Sequence, residues 1–393
     1  MSGRTGRNSA TQAQPERVML VGVMLDKEGT GSSAARLSGF QTALAEAVEL
    51  VKAAGGDSVL VETAKRDRPH TALFVGTGKV EELAANVAAN DIDLVVFNHE
   101  LTPTQERNLE KELKCRVLDR VGLILAIFAR RARTQEGRLQ VELAQLSHLA
   151  GRLIRGYGHL QSQRGGIGMK GPGETKLETD RRLIAHRINA LKKQLANLKK
   201  QRALRRKPRE SGGIKTFALV GYTNVGKSTL FNCLTKAGAY AQDQLFATLD
   251  TTARRLYINP ECSIILTDTV GFVSDLPHKL ISAFSATLEE TAQADVLLHV
   301  VDASAPGKEQ QIEDVENVLR EIKADRVPCI RVYNKTDLLP SEDRNTGIQR
   351  DGRGRIAAVY LSAEEKTGIN ALRDAVAEYC AAMPTTDDET ETP

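Results

Sequence analysis

The apolar positions of this chain change their spacing twice. From Arg17 to about Asp119, short apolar runs at Val18 to Leu25, Val59 to Glu62, Leu73 to Gly76, Leu94 to Asn98 and Arg116 to Leu118 read as strands. Between them Gly39 to Ala54, Lys79 to Asn90 and Thr102 to Leu113 carry the helical period. The alternation predicts an N-terminal α/β domain over 17–119, behind a polar stretch, 1–16, expected to be disordered. From Arg120 to Glu210 the pattern turns helical. Leu139, Leu143, Leu146, Ala150 and Leu153 follow a 4-3-4-3 spacing, and so do Ile184, Ile188, Leu191, Leu195 and Leu198. Such narrow seams predict a helical hairpin over 120–210, with a glycine-rich tip from Gly156 to Gly173 that carries Arg164 and Lys170. Apolar runs then return at Thr216 to Val220, Ile264 to Leu266, Cys329 to Tyr333 and Ala357 to Leu361. They predict a second α/β domain over 211–383, a parallel sheet with one antiparallel edge strand, Leu256 to Ile258. Ser341 to Arg355 reads as a polar surface excursion, and 384–393 as an acidic, disordered tail.

Composition changes this picture in three respects. A net charge of +4 over 393 residues is mild, so affinity for a polyanion must come from local clustering. The clustering is there: Arg181 to Arg209 contains no Asp or Glu, while Lys192, Lys193, Lys199, Lys200, Arg205, Arg206 and Lys207 crowd its later part. Nothing within that run offsets the repulsion of like charges one helical turn apart, which favours a polyanionic partner over a merely solvated face. The five cysteines form no C-x-x-C pair, as expected of a reducing compartment without structural zinc. No apolar run approaches the ~20 residues that span a bilayer, and the first residues lack a hydrophobic region. The expected location is the cytoplasm, without stable membrane insertion, a peripheral association being left open.

The candidate chemistry is concentrated in the last domain. Gly221, Tyr222, Thr223, Asn224, Val225, Gly226, Lys227 and Ser228 complete the phosphate-binding pattern G-x-x-x-x-G-K-[ST] directly after a strand. In such a loop backbone N–H groups and a helix N-terminus face phosphate oxygens, the lysine reaches the β- and γ-phosphates, and the serine ligates Mg²⁺. Asp268, Thr269, Val270 and Gly271 follow a second strand, where the carboxylate can hold a water on Mg²⁺ and the Gly271 N–H can reach the γ-phosphate. Asn334, Lys335, Thr336 and Asp337 follow a third and read as a base-recognition loop. The Asp337 carboxylate can accept both N1–H and N2–H₂ of guanine, and adenine offers no matching pair, so the nucleotide is GTP or GDP, not ATP. Ser362, Ala363 and Glu364 can bring a backbone N–H to the guanine O6. At Val75-Gly76-Thr77-Gly78-Lys79 a second glycine turn with a lysine could bind an anion or could be only a turn.

Nearly the whole chain resembles the HflX family of ribosome-associated GTPases. The most specific carriers are Val117-Leu118-Asp119-Arg120, the segment Leu139 to Leu146, and Gly165-Gly166-Ile167-Gly168 followed by Gly171-Pro172-Gly173-Glu174-Thr175 and Glu178 to Arg182. The resemblance implies a Ras-like P-loop GTPase domain preceded by an α/β domain and a helical linker, directed at the large ribosomal subunit and its rRNA; a monomer is expected. It also implies that Phe246, Ala247, Thr248, Leu249 and Asp250 form the first switch, with Thr248 the second protein ligand of Mg²⁺. Spacing alone does not select Thr248 over Thr251 or Thr252. Lys227, Thr248 and Gly271 are then the catalytic candidates. Departures from the family pattern are Thr251 where proline is usual, Ala126 where an acidic residue is common, and Glu364 in place of the lysine that packs over guanine. Phe272 stands where Ras-like enzymes carry a water-orienting glutamine, so unaided hydrolysis should be slow. The implied action is GTP-dependent binding that splits or rescues ribosomes. A competing reading is an RNA-binding or remodelling protein whose N-terminal domain uses a nucleotide of its own, at Gly76 to Lys79.

Overall fold

The computed structural model describes residues 15–25, 33–156, 176–210, 214–235, 245–246, 248–249, 251–260, 262–273, 280 and 285–382. The glycine-rich tip beyond Gly156, the expected tails except Pro15 and Glu16, and the residues Ala247 and Asp250 lie outside them, as do the side chains of Arg205, Arg206 and Lys207; Glu16 is held by Asp57 and Arg116. The chain divides into two compact units, 1–124 and 125–393.

In the first unit β1 (Arg17–Leu25), β2 (Asp57–Arg66), β3 (Leu94–Phe97) and β4 (Arg116–Leu118) form a parallel sheet in the order β2-β1-β3-β4, with α1 (Ser33–Ala54), α2 (Thr77–Ala89) and α3 (Pro103–Leu113) as its crossovers. The inner strands β1 and β3 are buried on both faces, which is why they read as unbroken apolar runs. Helix α3 starts where its sequence says it should. Thr102 and Gln105 form a reciprocal capping box, Pro103 follows, and Lys114 ends the helix in the left-handed conformation.

Leu73 to Gly76, expected as a strand, is a turn. The His70 ring accepts the N–H groups of Ala72 and Leu73, and Phe74, at φ 64°, turns its ring inward against Phe97, centroid to centroid 6.3 Å. A short apolar run can equally plug a core, and periodicity cannot tell the two apart. The glycine turn after it precedes α2, yet the Lys79 ammonium is held by Glu62 at 2.7 Å and Glu82 at 2.8 Å. Asn86 adds a bond to Glu62. The lysine thus ties α2 to β2.

The Val117 to Arg120 string is architectural as well. Asp119, fully buried, caps the next helix by accepting the Gly122 N–H at 2.8 Å, and Arg120 binds both Asn98 and Glu46. That helix, α4 (Arg120–Arg131), was not separately resolved by the hydrophobic pattern.

In the second unit α5 (Gln135–Gly156) and α6 (Lys176–Glu210) pack against each other. Glu142 pairs with Arg187, and Glu136, earlier on α5, pairs with Arg202, later on α6, so the helices run antiparallel. Among the described side chains between 181 and 200, those not exposed are Ile184, Ile188, Leu191, Leu195 and Leu198, the seam read from spacing. The buried face of α5 is broader and includes Gln140, Val141 and Ala144. Arg202 also reaches Glu290 on α8 (Ser285–Ala292) at 3.0 Å.

The remaining elements are β5 (Thr216–Val220), α7 (Lys227–Thr235), β6 (Thr252–Asn259), β7 (Cys262–Asp268), β8 (Val296–Asp302), α9 (Lys308–Glu321), β9 (Cys329–Asn334), β10 (Gly347–Arg350), β11 (Ile356–Tyr360) and α10 (Ile369–Ala382). Their seven-stranded sheet has the order β10-β11-β9-β8-β5-β7-β6. The five inner strands are parallel and β6 is the expected antiparallel edge. A second antiparallel edge, β10, lies inside the stretch read as a surface excursion. Its side chains stay largely solvated, so it shows no apolar alternation, and Arg350 fastens it to Glu378 of α10.

Candidate functional site

The parallel strands direct their carboxyl ends to one edge of the sheet, where the predicted loops meet. Chain and glycine are matched tightly there. Gly221 leaves β5 at φ 146°, and a Cβ on it would lie 2.2 Å from the Val300 carbonyl oxygen. Asn224 takes φ 62°, and Gly226, at φ 90°, would drive a Cβ to 2.3 Å from Asn334 Nδ2. The loop is also sewn to the segment after β7, because Thr223 donates to the Phe272 carbonyl at 2.6 Å and Phe272 donates back to Gly221 at 3.1 Å. Gly271 has no room for a side chain: its Cβ would meet Thr223 at 2.8 Å and Lys227 Nζ at 2.9 Å. Lys227 opens α7 and folds back over the loop, donating to Gly221 O at 3.0 Å and Tyr222 O at 2.6 Å. Burial pushes its ammonium down to about 8, against the opposing pull of Asp268.

Three oxygens converge next to it. Ser228 Oγ lies 2.7 Å from Thr248 Oγ1 and donates to Asp268 Oδ2 at 2.7 Å, while Thr248 Oγ1 donates to the same oxygen at 2.9 Å. Burial raises the Asp268 carboxyl above the usual carboxylate range, and its other oxygen, Oδ1, is buried with no hydrogen-bond partner. A buried carboxylate oxygen without a donor, beside two hydroxyls, is a hard oxygen set that suits Mg²⁺. Of the three threonines that spacing left equal, Thr248 is the one whose hydroxyl lies on Ser228 and Asp268. Thr269 is turned away from this cluster and donates to Leu219 O at 2.5 Å, and Val270 is buried.

Asn334 is placed as a brace between loops. Its Nδ2 donates to Val225 O at 2.8 Å, and its Oδ1 accepts the Ala363 N–H at 2.9 Å. Lys335, in the left-handed conformation at φ 61°, pairs through Nζ with Asp302 at 2.8 Å. Thr336 is buried in the single 3₁₀ turn that follows, and Asp337 Oδ1 is shielded from water with no donor. Such an oxygen suits the N–H edge of a base. Ser362, fully buried, exchanges backbone bonds with Thr367 at 3.0 and 3.1 Å and accepts the Glu365 N–H on Oγ, leaving Glu364 exposed at the rim. The sequence reading missed Asp302, whose only signal was its position at the end of a buried strand, and the anchor of Phe246 described below. A cavity of about 440 Å³ lined by His299, Glu316 and Arg331 contains none of the phosphate- or base-loop residues.

Residues 216–335 match the family model described as a 50S ribosome-binding GTPase, 41–129 that of a GTP-binding GTPase N-terminal region, and 131–209 that of a GTP-binding GTPase middle region. The GTPase HflX of Escherichia coli (strain K12) is 52% identical over 335 residues, covering 85% of this chain and 78% of that protein. The GTPase HflX of Magnetococcus marinus is 47% identical over 363 residues, 92% of this chain and 82% of that one. The chain belongs to the HflX family of GTPases. It is a GTP-hydrolysing enzyme with a P-loop nucleotide-binding domain. The crystal structure of SsGBP in complex with GDP shares the fold, at 23% identity and a TM-score of 0.51, with 93% of this chain and 98% of that one covered. Among the described residues no helix of this HflX chain is long and apolar enough to cross a membrane.

Burial holds the Lys227 ammonium down to about 8, so a triphosphate seated beside it would raise it again and take up a proton on binding above pH 8. GTP affinity should be flat near pH 7 and fall towards tenfold per pH unit above about 8. Calorimetry at pH 9 in two buffers of different ionisation enthalpy should show the uptake; identical heats in the two would refute it.

Proposed function

We propose that this HflX chain is a GTP-switched factor of the large ribosomal subunit, and that the loops at the carboxyl edge of the sheet are its nucleotide site. The observation that carries the switch is the meeting of Thr248, from the first switch, with Ser228 of the P-loop and Asp268. Lys227 and the loop N–H groups bind the phosphates, and the Asp337 carboxylate accepts N1–H and N2–H₂ of guanine. Ser228 and Thr248 would hold Mg²⁺, whose chemistry there is to neutralise charge on the β- and γ-phosphates. The Gly271 N–H faces the γ-phosphate. The next side chain, Phe272, is buried in the core and has no polar group with which to orient water. Hydrolysis is therefore slow until Thr248, backbone groups and a partner align the attacking water.

The description of the matching GTPase family as 50S ribosome-binding supports the partner. So does α6, on which Lys192, Lys193, Lys199 and Lys200 are exposed. GTP orders the switches and raises affinity for the large subunit, binding separates the subunits, and hydrolysis releases the factor. Linkage requires the subunit to tighten GTP by the same factor. The protein acts as a cytoplasmic monomer. A separate nucleotide at Gly76 to Lys79 is disfavoured, because the only lysine of that turn is already bound by two carboxylates.

Pelleting with large subunits in GTP, a non-hydrolysable analogue and GDP tests the partner, and light scattering of intact ribosomes tests the splitting. Equal pelleting in all three nucleotides would refute the switch. Replacing Lys192, Lys193, Lys199 and Lys200 by glutamine should weaken binding and flatten its dependence on log[salt] by roughly one unit for each phosphate no longer neutralised. An unchanged slope would make the stripe a solvated face.

A further inference from the structure

The first switch is anchored by a residue that belongs to none of the nucleotide loops. Phe246 sits at φ 54°, a left-handed backbone that a phenylalanine adopts only when its surroundings impose it. Its ring is buried and meets the ring of Phe128, on α4, edge to face: the centroids are 4.7 Å apart and the planes cross at 80°. That is the preferred geometry for an aromatic pair. Phe128 is buried too, beside Ile127 and Leu125. Neither ring belongs to the core cluster built around Phe217, Phe231 and Phe272 that carries the seven-stranded sheet. Two residues past Phe246 comes Thr248, whose hydroxyl lies on Ser228 and Asp268, and then Leu249, again buried. Two residues span at most ~7 Å, so the seat of the Phe246 ring limits where the Thr248 hydroxyl can go.

We infer that Phe128 is a positioning residue for GTP hydrolysis: by holding the Phe246 ring it keeps the strained switch segment in the conformation that presents Thr248 to Ser228 and Asp268. The inference rests on the reading of Thr248 as a switch residue at the phosphates. Without the Phe128 ring the left-handed residue loses what imposes it, the backbone relaxes, and the hydroxyl leaves the cluster. The P-loop is held by contacts of its own to Val300, Asn334 and Phe272, and the base loop by Asn334 and Asp302, so neither depends on Phe128.

The test uses the full chain. Phe128→Ala should lower intrinsic kcat for GTP about tenfold, near the upper end of what an edge-to-face pair contributes beyond its buried area. GDP affinity should stay within about twofold, since its determinants are the untouched loops. Amide hydrogen exchange in the peptide spanning 245–252 should rise, and exchange in the P-loop peptide should not. Phe128→Leu, which keeps most of the apolar volume, should recover the larger part of the rate. Thr248→Ala, made in parallel, should slow hydrolysis at least as much. If Thr248→Ala is slow while Phe128→Ala hydrolyses GTP and exchanges like the wild type, the positioning role is wrong and the reading of Thr248 stands. If Thr248→Ala hydrolyses normally, that reading fails and takes the inference with it. If Phe128→Ala loses GDP affinity in proportion to kcat, the ring serves the fold of the whole domain and positioning is refuted.

Discussion

Asp337→Asn is expected to weaken GTP binding by about a hundred- to a thousandfold and to make xanthosine triphosphate the better ligand. The carboxylate can accept N1–H and N2–H₂ of guanine at once, and removing one side of a shielded, charge-assisted pair typically costs ~2–5 kcal/mol. In the folded chain Asp337 Oδ1 is buried without a donor, so the group is set up for a ligand and contributes no hydrogen bond of its own to the fold. The substitution should therefore leave the melting temperature nearly unchanged. An asparagine keeps one acceptor for N1–H but turns an amide donor towards N2–H₂, which repels it. The xanthine O2 accepts that same donor. Titration with fluorescent analogues of both nucleotides would measure the exchange of preference, and undiminished GTP affinity would remove Asp337 from base recognition.

Lys227→Ala should abolish measurable GTP binding at micromolar concentrations while leaving the protein nearly as stable as before. The two effects separate because the ammonium is held in the fold against its own preference. Its value is lowered from 10.5 to about 8 by burial, a cost at pH 7 on the order of 3 kcal/mol. The sign follows directly: this cost is in full force below pH 8, where the folded protein keeps a buried charge, and is relieved as pH rises from 8 towards 10.5. Alanine removes it and also removes two hydrogen bonds from the charged donor to the Gly221 and Tyr222 carbonyls, worth roughly 1.5–3 kcal/mol each, so the two effects largely cancel. With triphosphate bound, the same ammonium would face charged oxygens in a low-dielectric loop and have no substitute. Calorimetric melting alongside isothermal titration checks both halves. A melting temperature lower by several degrees would mean that binding was lost through the fold and not through the missing charge.

The sequence by itself determined the four loops proposed to hold the nucleotide and their order along the chain, because each couples a buried parallel strand to residue types that few other tasks require in that spacing. Gly221 and Gly226 are legible from sequence for the same reason that they are required in space: each sits where a Cβ would collide, with Val300 O and with Asn334. The seam of α6 was legible because a helix that buries one narrow stripe writes its period into the sequence. Tertiary structure alone decided the rest, wherever a residue's role depends on what lies opposite. Thr248, Thr251 and Thr252 are equivalent as text, and the meeting with Ser228 and Asp268 distinguishes them. Asn334 reads as part of the base loop and turns out to tie Val225 to Ala363. The Lys79 turn resembles an anion site until Glu62 and Glu82 are seen to hold it. Strand β10 has no alternation because it is only four residues long with a single apolar side chain, Ile348, against the core, and its ladder to β11 is what reveals it. Phe128 carries no signal at all as an apolar residue in an apolar helix: the contact that gives it a role joins positions 128 and 246, and local pattern cannot report a pairing over that distance.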